Sequence, residues 1–447
     1  MTLSNTQQPD ISALGIPATL QNFPPNFEAA QQRAASIVPG QYARTRNALD
    51  GAVTGLSPYL THGITSLPQV AMQVAHKHRL SYDDKLVFEF GWREFFHHVW
   101  SRAASPDHIL KDMRPANVWP GRYAKELPAD IREGRTGVPC IDAAVRQLYA
   151  TGYLHNHARM WLASYCVHLR KVHWRAGADW LYAHLLDGDV PSNHLSWQWV
   201  AATFSSKPYI FNASNVAKFA PEHAWKAWAS NKTAVDMSYE QLDTVARHQA
   251  DIGAEPGIHQ GVEEPARAGS DLQAFFKEND FSALVNTAST ATESIANALQ
   301  KTPAIPIELV HPWALSERPI LSDTQPQPLR IGVIHPAAHT ALAWSARRWR
   351  FVLTRMQSVC DAVWVDDVGM LTRIPHWPAK ERVFATHTLF AVYRDALPRV
   401  AQMRDELKLF PNPVKPCNSF SKFYENIQRD ERDFAALIGF GKPNKLL

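Results

Sequence analysis

From about residue 28 to residue 230, apolar side chains recur every three or four positions, Gly and Pro punctuate them, and no alternating run interrupts. A stretch of this length with one periodicity points to an all-helical domain. The segments KLVFEFGWREFFHHVW, PCIDAAVRQLYATGYL and NHARMWLASYCVHLRKVHW all carry the pattern. In the second, Ile141, Val145 and Leu148 share one helical stripe, and Gly152 stands where a helix stop is expected. Residues 1–27 read as an extension ahead of the block.

The character changes after it. Residues 231–320 read as a linker: ADIGAEPGIHQGVEEPARAGSD is rich in Gly, Pro and acids, TPAIPIELVHPWALSERP is rich in Pro, and one helix near FSALVNTASTATESIANALQK is expected between them. In residues 321–447, LRIGVIHP reads as a buried strand, SARRWRFVLTRMQSVC as an amphipathic helix and DAVWVDD as a second strand, which together suggest a βαβ-like unit. The tail from about residue 383 is expected to be helical again. The predicted fold class is therefore mainly α: an all-helical domain, a linker and a small α/β C-terminal unit. That unit carries no glycine-rich phosphate loop of its own.

Composition narrows the function classes. With 447 residues, 45% of them apolar, the chain can bury a full core. A formal charge of +4 permits contact with phosphates without demanding it. Cys140, Cys166, Cys360 and Cys417 are too scattered for a metal knuckle or a disulfide framework, so free thiols and no metal are expected. The opening MTLSNTQQPD has no leader pattern and no run of about 18 apolar residues follows, so no membrane contact and a cytoplasmic location are expected.

Against this background the stretch DGDVPSNHLSWQW, Asp187 to Trp199, stands apart. It packs two acids, an Asn and two Trp around only two aliphatics, Val190 and Leu195, which suits chemistry better than a core. The plain alternative for its acids is a helix N-cap. Read together with GLSPYLTHG, FEFGWREFF, GRTGVPCIDAAVRQL, YLHNHARMW and HWRAGADWL, in that order and at that spacing, it resembles the FAD-binding domain of the photolyase and cryptochrome family, from Tyr42 to Phe219.

The resemblance implies a U-shaped FAD. It sets Asp187 and Asp189 near the isoalloxazine and ribityl chain, and Asn193 opposite the redox nitrogen, where a neutral amide can bond the protonated and deprotonated flavin alike. Tyr42, Thr54, Gly55, Leu56 and Ser57 match the loop that cradles the phosphates, Arg93 matches a phosphate-side Arg, and Arg159 matches the partner of Asp187. Trp197 and Trp174 match the inner members of an electron-transfer chain, with Trp119 the candidate exposed third; most of the 15 Trp must be packing.

Substrate contacts are implied in the same way. Glu89 and Trp92 are three apart, Asn156 and Met160 four apart, so each pair falls on one helical face. With Trp199 they match the residues that hold a flipped cyclobutane pyrimidine dimer: Glu89 by hydrogen bonds, Trp92 and Trp199 by stacking, Met160 by apolar contact. Asn156 is counted among the cofactor contacts as well, and Arg46 matches a DNA-facing Arg. Where repair enzymes of the family usually carry Arg after the Asn, this chain has His157, a poorer phosphate contact.

The resemblance also implies an N-terminal α/β antenna domain, for which the residues ahead of Tyr42 leave no room; the C-terminal strand-helix-strand unit is the candidate replacement. The expected function is FAD-dependent, light-driven repair of cyclobutane pyrimidine dimers in DNA. A blue-light receptor without repair activity is the alternative, and a scaffold that binds neither FAD nor DNA is a third reading. The joint presence of Glu89, Trp92, Asn156, Met160 and Trp199 favours repair.

Overall fold

The computed structural model describes residues 10–103, 105, 108–115, 118–119, 121–248, 272–285, 288–318, 326–430 and 433–438. The Gly-, Pro- and acid-rich stretch of the expected linker lies outside the described residues. Internal contacts divide the chain into two compact units, one drawn from residues 1–23, 39–55 and 103–264, the other from 24–38, 56–102 and 265–447.

The first unit is helical, with no strand among its described residues. The Pro139–Thr151 helix buries Ile141, Val145 and Leu148 and stops at Gly152, whose N–H bonds the Leu148 carbonyl at 2.8 Å with φ at 69°, as the sequence predicts. Each of the next three helices is opened by a side chain. His155 Nδ1 accepts the His157 N–H at 3.1 Å to start Asn156–Ser164, and His173 Nδ1 accepts the Arg175 N–H at 3.1 Å to start Trp174–His184. Asp189 does the same for Val190–Val200. The Asn156–Ser164 helix runs on into a π turn, Tyr165–Leu169, after which Lys171 turns the chain with φ at 50°.

The second unit contains a five-stranded, wholly parallel sheet: β1 (Ile307–Val310), β2 (Leu329–Ile334), β3 (Ala362–Val365), β4 (Val383–Thr386) and β5 (Gln402–Arg404), in the order β3-β2-β1-β4-β5. Helices Ala346–Val359 and Ala391–Val400 lie between β2 and β3 and between β4 and β5, as parallel pairing demands. Every residue of β2 is buried, the run typical of a parallel strand. The βαβ-like reading of LRIGVIHP through DAVWVDD therefore holds. Two element readings need correction. β1 lies in the segment expected to be linker, and the tail expected to be helical holds β4 and β5 as well as helices. A helix at Leu272–Glu278 adds to the expected one, which is Ala288–Lys301.

This strand order is the doubly wound one, which usually binds ligands beyond the carboxyl ends of the two strands where the order reverses. Here those strands are β1 and β4, and protein side chains meet beyond them. His311 Nε2 bonds the Thr386 carbonyl at 3.0 Å, and Trp313 stacks on Phe390 with ring centroids 3.6 Å apart. In the same unit the Lys85–Ser101 helix packs on the Phe420–Asp430 helix, with Phe88 and Phe420 centroids at 4.8 Å, Phe95 and Phe423 at 5.7 Å, and the Tyr424 hydroxyl donating to the Tyr82 carbonyl at 2.7 Å.

Candidate functional site

In the first unit the turn between the Trp174–His184 and Val190–Val200 helices carries the two acids. Asp187, 5% exposed, accepts from Arg159 Nη2 at 2.7 Å, and Arg159 Nε donates to the Leu154 carbonyl at 2.9 Å. This is the pair the resemblance implies. Asp189, 4% exposed, accepts the Ser192 N–H at 3.2 Å, so it is also the N-cap that the plain reading anticipates. One turn on, Asn193 Nδ2 donates to the Ala178 carbonyl at 2.8 Å, which fixes its amide plane against the Trp174–His184 helix. Behind it His194 is fully buried, Nε2 to Asp179 Oδ1 at 2.9 Å, and Asp179 is held by Arg175 Nε at 2.6 Å.

The inner tryptophans belong to the same pair of helices. Trp197, 2% exposed, lies across Gly177: a Cβ there would come within 2.3 Å of the indole, so only glycine lets the ring settle on that helix. Trp174, three residues before Gly177 and 3% exposed, donates its indole N–H to Asp112 Oδ1 at 2.6 Å. Trp119 lies on an irregular segment and is linked to Trp174 through the rings of Tyr123 and His173, with Tyr123 to His173 at 6.3 Å and His173 to Trp174 at 5.6 Å. Its ring is 4.9 Å from that of Tyr123, and Lys171 Nζ lies 5.3 Å over it. Burial lowers the Lys171 amine to about 8, and its protons go to the carbonyls of Val245 and Ala246, each at 2.7 Å. Sequence reasoning missed Asp112, Tyr123, Lys171 and His194. His194 three before Trp197, Lys171 three before Trp174 and Tyr123 four after Trp119 stand at spacings that could have suggested them, whereas Asp112 has no such signal.

Of the expected DNA contacts in this unit, Trp199 is 39% exposed, with Tyr209 at 5.7 Å, and Ser205 ties the two sides of its loop by reaching the carbonyls of Trp199 and Lys207, both at 2.7 Å. Asn156 is exposed at its helix start, with Nδ2 3.9 Å from Met160 Sδ. His157 points the other way. Its ring is buried, 4.3 Å from Phe219 and 6.1 Å from Trp161, and burial drives it down to about 4, so it is neutral at ordinary pH. Tyr42 sits on the Pro39–Thr45 helix, and the Arg46 carbonyl just beyond it accepts from His155 Nε2 at 2.9 Å. Thr54 precedes Gly55, whose φ of 59° is left-handed.

The second unit carries the remaining expected residues. Leu56 and Ser57 open the short Ser57–Thr61 helix. Glu89, Trp92 and Arg93 lie on the Lys85–Ser101 helix: Glu89 pairs with Lys85 at 3.3 Å, Arg93 Nη2 reaches the Leu60 carbonyl at 3.5 Å, and Trp92 stacks on Phe420 at 4.0 Å and 8°. One face of Trp92 is thereby occupied by protein. No described helix is long and apolar enough to cross a membrane.

Residues 86–236 match the family described as the FAD binding domain of DNA photolyase. The deoxyribodipyrimidine photo-lyase of Streptomyces griseus is 37% identical over 180 residues, 39% of either chain, and that of Vibrio cholerae is 34% identical over 199 residues, 42% of either chain. That of Escherichia coli is 40% identical over 131 residues, 28% of this chain and 27% of the other. The chain thus spans about two fifths of the length of the first two of these relatives. Among solved structures, a Synechocystis cryptochrome is 25% identical with a TM-score of 0.40, covering 50% of this chain and 48% of that one.

Proposed function

Because residues 86–236 carry the FAD binding domain of the DNA photolyase family, we propose that this chain binds FAD and splits cyclobutane pyrimidine dimers in DNA under light. The observation that carries the reading is the ion pair of half-buried Arg159 with buried Asp187, set beside the N-cap Asp189 and an amide-anchored Asn193. This donor set suits a flavin. The buried acid is neutralised by its arginine, the second acid is committed to a helix start, and Asn193 brings a neutral amide whose orientation is fixed.

In the proposed roles, Asp187, Arg159, Asp189 and Asn193 hold the ring and ribityl end, with Asn156 near it. Tyr42, Thr54, Gly55, Leu56, Ser57 and Arg93 serve the phosphates, where backbone amides and hydroxyls suit an anion. FAD held by these residues would supply reversible one-electron chemistry for opening the dimer under light. Trp197 and Trp174 keep the cofactor supplied with electrons. Trp199, Met160, Asn156 and Arg46 receive the flipped dimer and its strand, and the resemblance gives Glu89 and Trp92 the same role.

The test is an absorption spectrum of the purified protein, then blue-light illumination with a dimer-containing oligonucleotide. Wild type is expected to purify with bound flavin and to split the dimers back to pyrimidines, and Asp187→Ala to lose most of the flavin. Folded wild type that cannot be reconstituted with FAD sinks the whole reading. Flavin binding without dimer splitting sinks repair and leaves light reception.

A further inference from the structure

Asp112 belongs to no expected site, yet its carboxylate holds the Trp174 N–H at 2.6 Å, at the short end of charge-assisted bonds. The indole is 3% exposed, whereas the carboxylate side chain is 42% exposed, so one end of this hydrogen bond is in the core and the other touches water. His173 Nε2 is 4.0 Å from the same oxygen. Tyr123, beyond it, has its phenol pushed up by burial, with the Asp112 charge adding to the effect. An anion therefore stands among Trp174, His173 and Tyr123. Trp119, the candidate third indole, has the opposite neighbour: Lys171 Nζ is fixed 5.3 Å over it by two carbonyls.

We propose that Asp112 is the charge partner and proton acceptor of oxidised Trp174, so that electron supply ends at Trp174 and does not continue to Trp119. The proposal rests on the electron-supply role given above to Trp197 and Trp174. One electron leaves Trp197 for the photoexcited, oxidised flavin, and one electron from Trp174 refills Trp197. The indole cation left at Trp174 is a strong N–H acid. Its proton crosses the existing hydrogen bond to Asp112, which leaves a neutral indolyl radical and a neutral carboxylic acid, and the exposed side of Asp112 then exchanges that proton with water. Electrostatics act in one direction at both places: a positive charge is stabilised beside the Asp112 anion and repelled beside the Lys171 cation.

The readout is the tryptophan radical itself, followed by flash absorption on FAD-loaded protein with the flavin oxidised. Wild type is expected to give a neutral radical whose formation slows in D2O. Asp112→Asn keeps an acceptor of the same shape but cannot take the proton, so the radical should remain cationic, lose its solvent isotope effect and recombine about tenfold faster. Trp119→Phe should change neither yield nor lifetime. A cationic radical in wild type, or loss of the long-lived radical in Trp119→Phe, overturns the proposal. If Trp174→Phe leaves radical formation untouched, the electron-supply reading fails first, and the two failures are told apart. In cofactor-free, 15N-labelled protein the Trp174 indole N–H should resonate downfield and move upfield in Asp112→Asn; an unshifted signal removes the hydrogen bond on which the proposal stands.

Discussion

Trp199 and His157 were both expected to face DNA, and their surroundings separate them. Trp199 is 39% exposed and presents its ring to solvent, whereas His157 is buried against Phe219 and Trp161 and held neutral. Stacking a base on an aromatic ring is worth about 1–3 kcal/mol, so Trp199→Ala should weaken binding of dimer-containing DNA roughly ten- to a hundredfold while flavin is retained. His157→Arg, which by sequence alone would add a phosphate contact, should instead drive a guanidinium into apolar packing and destabilise the fold by about 2 kcal/mol or more. Paired titrations and urea melts check both; a His157→Arg protein that binds DNA more tightly at unchanged stability would falsify the packing account. Motif spacing exposed Asp187, Asp189, Asn193 and Trp199 because their chemistry is unusual for their place in the chain. It could not expose the orientation of His157, since a residue type does not reveal which side of its helix is covered.

Helix starts show how a local device becomes a global property. Two helices of the first unit are opened by a histidine ring nitrogen that accepts a backbone N–H, and a protonated ring cannot accept. Burial, with the neighbouring His157 charge opposing as well, holds His155 down to about 3, and burial holds His157 and His168 down to about 4. All three lie below the ordinary histidine value of about 6.5, so as pH falls the unfolded chain takes up protons before the folded one does. Stability is therefore complete above about 6.5 and drains away as pH drops toward 4, by about 1.4 kcal/mol per pH unit for each ring. His155→Asn keeps a good cap and cannot titrate, so urea midpoints followed from pH 7 to 5 should fall less steeply by one proton's worth; identical slopes would refute the assignment. The elements that sequence reading missed share a cause of their own. β1 has four residues between Pro306 and Pro312, and β5 has three residues, so neither is long enough to display a period, and the prolines that bound β1 are those that mark a connector.

On the scale of the whole chain, sequence blocks are contiguous and contact units are not. Periodicity identified the helices of residues 28–230, but it has no means of assigning the Lys85–Ser101 helix to a unit most of which lies in residues 265–447. What decides that assignment is a set of pairings across great sequence distance: His98 with Asn412 at 2.6 Å, the Leu409 N–H with Glu94 at 3.1 Å, and Trp92 on Phe420. A chain cut before Phe420 should leave the rings of Phe88, Trp92 and Phe95 uncovered and be recovered largely as aggregate, and co-expression of residues 409–438 should restore part of the soluble yield. Soluble, monomeric protein from the truncation alone would contradict this.

The Tyr82–Tyr424 hydrogen bond spans 342 positions, and that distance is also a delay. At a synthesis rate of about 5–20 residues per second, the aromatic face of Lys85–Ser101 emerges from the ribosome roughly 20 to 70 seconds before the helix that covers it has been made. For that interval Phe88, Trp92 and Phe95 are a sticky surface on a nascent chain. Yield in the cell should therefore depend on whatever shields that early helix until Phe420–Asp430 has been made.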